Sequence, residues 1–154
     1  MRAAELGQDA TDYAKYLSGT DDRHVVRCQH IAARDVFINV YQNVLPQGSG
    51  VYWFSLPDGD VFYIGKADSF TRIWDHTFAA SYIEDNVRGF PNCVFCKHQG
   101  LSNQQREDIR REHFHIDYLT VNPGALASVF EIHLQAIYFL REGGRLPACN
   151  AKFG

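Results

Sequence analysis

Tyr63, Lys66, Arg72 and His76 fall within one short stretch, DGDVFYIGKADSFTRIWDH, residues 58 to 76. A phenol, an ammonium, a guanidinium and an imidazole are the groups that grip an anion and move protons beside it. Either they are scattered surface residues on a βα unit, or they form one wall of an anion-binding site. Glu131 raises a second question. It stands within SVFEIHLQAIYF, where Val129, Phe130, Leu134 and Ile137 mark a buried helical stripe. A carboxylate on the edge of such a stripe is costly unless it is paired or metal-bound. The plainer reading is a partly exposed glutamate beside Gln135. Tyr52 upstream and Asn150 downstream are, taken alone, an ordinary strand aromatic and a turn residue.

Cys93 and Cys96 in PNCVFCKHQG have the C-x-x-C spacing of a zinc knuckle. A structural Zn²⁺ needs four thiolate or imidazole ligands. His113 and His115, or Cys28 with His30, would complete the set. The alternative is two buried thiols in a reducing cytosol.

The elements that must carry these residues follow from periodicity. GVYWFSL (50–56) and DVFYIG (60–65) are apolar, β-branched and aromatic, and Pro57-Asp58-Gly59 between them is turn chemistry. So short a connection makes an antiparallel hairpin. Asp68 or Ser69 caps a helix whose Phe70, Ile73, Trp74 and Phe78 share a face. Arg72 and His76 stack one turn apart beside it.

A polar helix is expected from about Ser102 to Glu112. HFHIDYLTV (113–121) alternates as a third strand, with Phe114, Ile116, Tyr118 and Thr120 on one side. Residues 122–144 read as a long helix, with Asn122 as cap, Pro123 at its first position, Arg141 near its end and Gly143-Gly144 as its stop. Residues 1–49 look helical: Tyr13, Tyr16 and Leu17 share a face, and Ala33, Phe37, Val40, Tyr41 and Val44 form a stripe. LPQGSG (45–50) is a breaker-rich linker.

The expected fold is therefore α+β, a small three-stranded antiparallel sheet flanked by helices. It carries an N-terminal helical appendage (1–49) ahead of the main domain (50–154), with 83–112 inserted before the third strand.

Composition bounds the function classes. The 154 residues are 45% hydrophobic, enough for one domain with a packed core. No apolar run is long enough for a membrane helix, and the first residues are too polar for a signal peptide. A cytoplasmic protein is expected. The net charge of −3 argues against indiscriminate nucleic-acid binding but not against a local basic face. Residues 97–115 concentrate cations, although a mixed-sign helix is also simply a solvated face.

Taken in order, Gly50-Val51-Tyr52, then Tyr63-Ile64-Gly65, Lys66, Arg72, His76, Glu131 and Asn150 resemble the GIY-YIG endonuclease superfamily. That group includes homing endonucleases, some restriction enzymes and the incision subunit of bacterial nucleotide excision repair. The resemblance covers residues 50 to about 151. Val51 in place of isoleucine is the one departure in the name-giving triplets.

The resemblance implies a metal-dependent DNA endonuclease. Tyr52 would take the proton from the attacking water or orient that water. An unperturbed phenol near pKa 10 is a poor base at neutral pH, so Lys66 or His76 would have to help it. Arg72 would grip the scissile phosphate, Tyr63 would bond the phosphate or the water network, and Asn150 would steady the metal end of the site. Glu131 would hold a single Mg²⁺ or Mn²⁺, since one carboxylate is sparse for two metals. Arg88, Lys97, Arg106, Arg110 and Arg111 in and around the insertion would contact DNA. The compact chain points to a restriction- or phage-type enzyme. A repair or mobile-element nuclease, or a non-catalytic zinc-stabilised nucleic-acid-binding module of the same fold, is the alternative. Cutting a palindrome would call for a homodimer or for sequential nicking.

Overall fold

The computed structural model describes residues 1–18, 25–33, 48–68, 100–150 and 152–154, the side chains of Ser18, of 25–30 and of Arg110 excepted. Helix α1 (Ala3–Ser18) leads into strand β1 (Val25–Ala32). The hairpin β2 (Gly50–Ser55) and β3 (Val61–Ala67) follows, then α2 (Asn103–Arg110), β4 (His115–Val121) and α3 (Leu126–Arg141). The four strands form one antiparallel sheet in the order β1-β4-β2-β3.

The hairpin turn forms where Pro57-Asp58-Gly59 predicts it. Gly59 has φ 94°, its N–H donates to the Leu56 carbonyl at 2.8 Å, and Asp58 Oδ1 accepts from the Asp60 N–H at 3.0 Å. A bulge follows, since Phe54 pairs with Tyr63 but Ser55 pairs with Val61. The extra residue, Phe62, turns to the same side as Tyr63.

Each face of the sheet is buried. One carries Val51, Trp53, Ile64, Leu119 and Val121 beneath α1 (Leu6, Ala10) and α3 (Phe130, Leu134). The other carries Tyr52, Phe54, Phe62, Phe114, Ile116 and Tyr118, closed by Leu101 and Ile109 from around α2. On that second face Phe114 packs edge-on to Phe54 and Phe62, with centroids 5.4 and 5.6 Å apart.

Three expectations are corrected. The sheet has four strands, not three, and the fourth comes from the region read as a helical appendage. Val25, Val26 and Ile31 give that segment β character, and β1 pairs along the outer edge of β4. Helix α1 is no appendage either: it lies on the sheet with Leu6 and Ala10 wholly buried. Helix α3 begins at Leu126, not at Asn122. Ala125 is its cap, without a side-chain bond, and Pro123 and Gly124 supply the carbonyls that accept from Leu126 and Ala127.

The start of α2 is as expected, with Ser102 and Gln105 bonding reciprocally as a capping box. The helix expected after Asp68 lies outside the described residues.

Candidate active site

Strand β3 is an outer strand, so Ile64 turns both backbone polar groups away from β2. Asn150 takes both. Its Oδ1 accepts from the Ile64 N–H at 2.9 Å and its Nδ2 donates to the Ile64 carbonyl at 2.8 Å. Next to it the Cys149 N–H donates to the Phe62 carbonyl at 2.8 Å. The tail thus lies along the open edge of the sheet and satisfies part of it. Asn150 is a structural clamp on the Tyr63-Ile64-Gly65 triplet.

Helix α3 meets the same strand through polar side chains. Gln135, fully buried, donates from Nε2 to the Ile64 carbonyl at 3.3 Å and accepts from the Gly154 N–H at 2.7 Å. Lys66 Nζ donates to Ser128 Oγ at 2.5 Å. Ser128, Glu131 and Gln135 follow one another at helical spacings of three and four, so they form one row. With Ser128 held at Lys66 and Gln135 at Ile64, Glu131 is set alongside Gly65. It is only 6% exposed. Burying an unpaired carboxylate costs several kcal/mol, more than the roughly 1.5–3 kcal/mol that one apolar side chain returns. A carboxylate kept at this depth must therefore be held by charge or hydrogen bonds.

Tyr52 and Tyr63 reach Gly65 from the opposite face. Tyr52 pairs with Gly65 across the hairpin, and the two phenol rings lie 6.0 Å apart. A Cβ at position 65 would stand 2.8 Å from Tyr63 Cε1 and 2.9 Å from both Cζ and the hydroxyl of Tyr52. Glycine is needed here because two rings fill the space where a side chain would begin. The Tyr52 ring is 1% exposed, while Tyr63 is half-buried. Tyr52, expected to handle the attacking water, is thus closed off from bulk solvent.

The described residues gather in two groups. Lys66, Ser128, Glu131 and Gln135 lie on the α3 side of β3, Tyr52 and Tyr63 on the other, and Asn150 caps the edge between them. Arg72 and His76 lie outside the described residues, as do Arg88, Lys97, Cys93 and Cys96. Among the described cations of the expected DNA face, Arg111 pairs with Glu107 at 2.7 Å. His113 Nδ1 lies 3.9 Å from Asp108. That end of α2 is a mixed-sign surface. Among the described residues no three side chains of His, Cys, Asp or Glu gather around a metal position.

The sequence reading does not single out Ser128 or assign Gln135 a role, although their spacing from Glu131 is the available signal. Val129 departs from expectation: it is 43% exposed, and Glu131 with Gln135 occupies the buried row instead. One turn beyond Gln135, the Tyr138 hydroxyl donates to the Val61 carbonyl at 3.3 Å. Burial pushes this phenol up to about 12, Glu142 and Asp60 add to the shift, and Arg145 opposes it. A cavity of about 630 Å³ opens on this side of Asn150. Its lining sets the carboxylates of Asp60 and Glu142 against the guanidinium of Arg145, so it does not favour a polyanion.

No protein-family model, no curated protein and no solved structure matches the chain. No helix among the described residues is long and apolar enough to cross a membrane.

Proposed function

We propose that this chain is a metal-dependent DNA endonuclease of the GIY-YIG kind, of restriction or phage type, acting in the cytoplasm. One observation carries the reading. The sequence Tyr63-Ile64-Gly65-Lys66 stands on an outer strand, and α3 sets the buried Glu131 alongside it, between the Lys66–Ser128 and Ile64–Gln135 hydrogen bonds.

A buried carboxylate in a row with an amide and a hydroxyl fits Mg²⁺, which takes few protein carboxylates and keeps several waters. Bound at Glu131, the ion would supply charge neutralisation for the departing 3′ oxygen. The remaining work falls to the chain's own groups. Lys66, and Arg72 from the segment that follows β3, offset the charge that grows on the phosphate. Tyr63, the more open of the two phenols, orients the attacking water. Tyr52 positions Tyr63 through ring contact, and His76 assists the proton transfer. Asn150 holds the strand that carries Tyr63 and Lys66. Arg88, Lys97, Arg106, Arg110 and Arg111 supply the DNA contacts, and two copies would meet on a palindrome.

The test is cleavage of plasmid DNA by the purified chain with Mg²⁺ or Mn²⁺, beside the isosteric Glu131→Gln variant. Wild type should cut and lose all cutting on chelation, and the folded variant should be slower by at least about a hundredfold. A folded Glu131→Gln that cuts at the wild-type rate overturns the assignment. So does a wild type that cuts no linear, branched or lesion-bearing DNA under any divalent ion.

A further inference from the structure

Lys66 follows Gly65 on β3 and pairs with Val51 across the hairpin. Val51 faces α3, and a directly paired residue shares its face. On that side Lys66 Nζ donates to Ser128 Oγ at 2.5 Å, in a part-buried contact. Ser128 stands in the first turn of α3, three residues before Glu131. Side chains at that spacing have Cβ atoms about 5–6 Å apart. The bond therefore holds the ammonium within one helical turn of the carboxylate on which the proposed cleavage depends.

The chemistry of the partner is informative. Among the described residues Lys66 makes no ion pair, and it is half-buried. An ammonium anchored by a neutral hydroxyl keeps its whole charge. A carboxylate in the place of Ser128 would hold the side chain as well, but it would offset that charge before any anion arrived. Lysine is a point charge on a flexible four-carbon stem, with three donors. One donor on Oγ fixes the stem, and the other two can still meet an incoming anion. Donors fixed in advance stabilise charge as it develops, because nothing has to reorganise at that moment.

We infer that Ser128 is a positioning residue for Lys66, holding the ammonium fully charged against the phosphate of the scissile bond. The inference rests on the nuclease reading and adds to it a side chain that acts through the lysine, touching neither the phosphate nor the water.

The experiment is plasmid cleavage by the whole chain with Mg²⁺, as saturation kinetics, with a urea melt on each variant. Ser128→Ala should lower kcat by about ten- to a hundredfold, the contribution of a hydrogen bond to a charged group, with KM and stability little changed. Ser128→Thr, which keeps the oxygen, should restore most of the rate. In a Lys66→Met background, itself slow, Ser128→Ala should cost nothing further, because the group it positions is gone. Should Ser128→Ala fail to fold, Ser128→Cys reads the same contact, since its sulfur is only a weak acceptor. A folded Ser128→Ala at the wild-type rate, while Glu131→Gln is slow, overturns the role of Ser128 and leaves the nuclease reading standing. So does an equal loss from Ser128→Ala with and without Lys66, which would mean that the hydroxyl does not act through the lysine. A wild type that cuts no DNA overturns both.

Discussion

Asn150 binds the backbone of Ile64 at both ends, accepting from its N–H at 2.9 Å and donating to its carbonyl at 2.8 Å. No other residue type of this size offers an acceptor and two donors in one plane. Asn150→Ala leaves both strand groups without this partner and should cost about 1–3 kcal/mol. Asn150→Asp should cost nearly as much, because an ionised carboxylate cannot donate to the Ile64 carbonyl. Urea unfolding of the three proteins measures this. An Asn150→Asp variant as stable as wild type would show that the donated bond contributes nothing.

Gly65→Ala tests why the triplet ends in glycine. The added methyl would stand 2.8 to 2.9 Å from both phenol rings. Overpacking of this kind costs about 1–3 kcal/mol, and denaturant midpoints should fall accordingly. A variant within experimental error of wild type would mean that the rings move aside freely.

The two tyrosines should separate in a cleavage assay. If Tyr63 orients the water, Tyr63→Phe should lower kcat by about 10²–10⁴-fold, the usual contribution of a positioned proton-handling group. Tyr52→Phe, which keeps the ring contact, should cost much less. The opposite order would return the water to Tyr52 and require its buried ring to open.

Tyr138 gives the protein a predictable alkaline limit. Its phenol is pushed from 10.0 up to about 12 in the fold. Between those values the unfolded chain releases a proton that the folded chain keeps, so stability falls as pH rises. Below pH 10 the two states hold the same proton and there is no such slope. Tyr138→Phe should lose part of this decline between pH 10 and 12, at a cost near neutrality of about 1 kcal/mol for the bond to Val61. Thermal melts across that range decide it, and an unchanged alkaline slope would exclude Tyr138 as its source.

Charge reversal at Arg110 and Arg111 should weaken DNA binding and flatten its salt dependence. Arg111 is exposed and already paired with Glu107, an arrangement worth only about 0.3–0.5 kcal/mol on a helix. Stability should therefore hold while binding changes. Equal binding across a salt series would make this end of α2 a solvated face and nothing more.

Much of this protein is local, and so legible in its sequence. The β2–β3 hairpin needs only alternating apolar residues and Pro57-Asp58-Gly59. The end of α3 needs only Gly143 and Gly144, which do take positive φ at 66° and 85°. Phe114, Ile116 and Tyr118 announce one buried face of β4, and they do share it. Glu131 is conspicuous because a carboxylate among apolar neighbours needs a reason.

Other features depend on partners distant in sequence. Val25–Ala32 has β-branched residues, but its partner strand β4 lies far along the chain, and no local pattern names that partner. Val129, expected in the buried stripe, is exposed because α3 turns the row of Glu131 and Gln135 toward the backbone of β3. Register alone sets Tyr52 over Gly65 and His30 opposite Asp117. Periodicity determines which residues can share a face. Only the pairing of strands and the docking of a helix decide which faces meet.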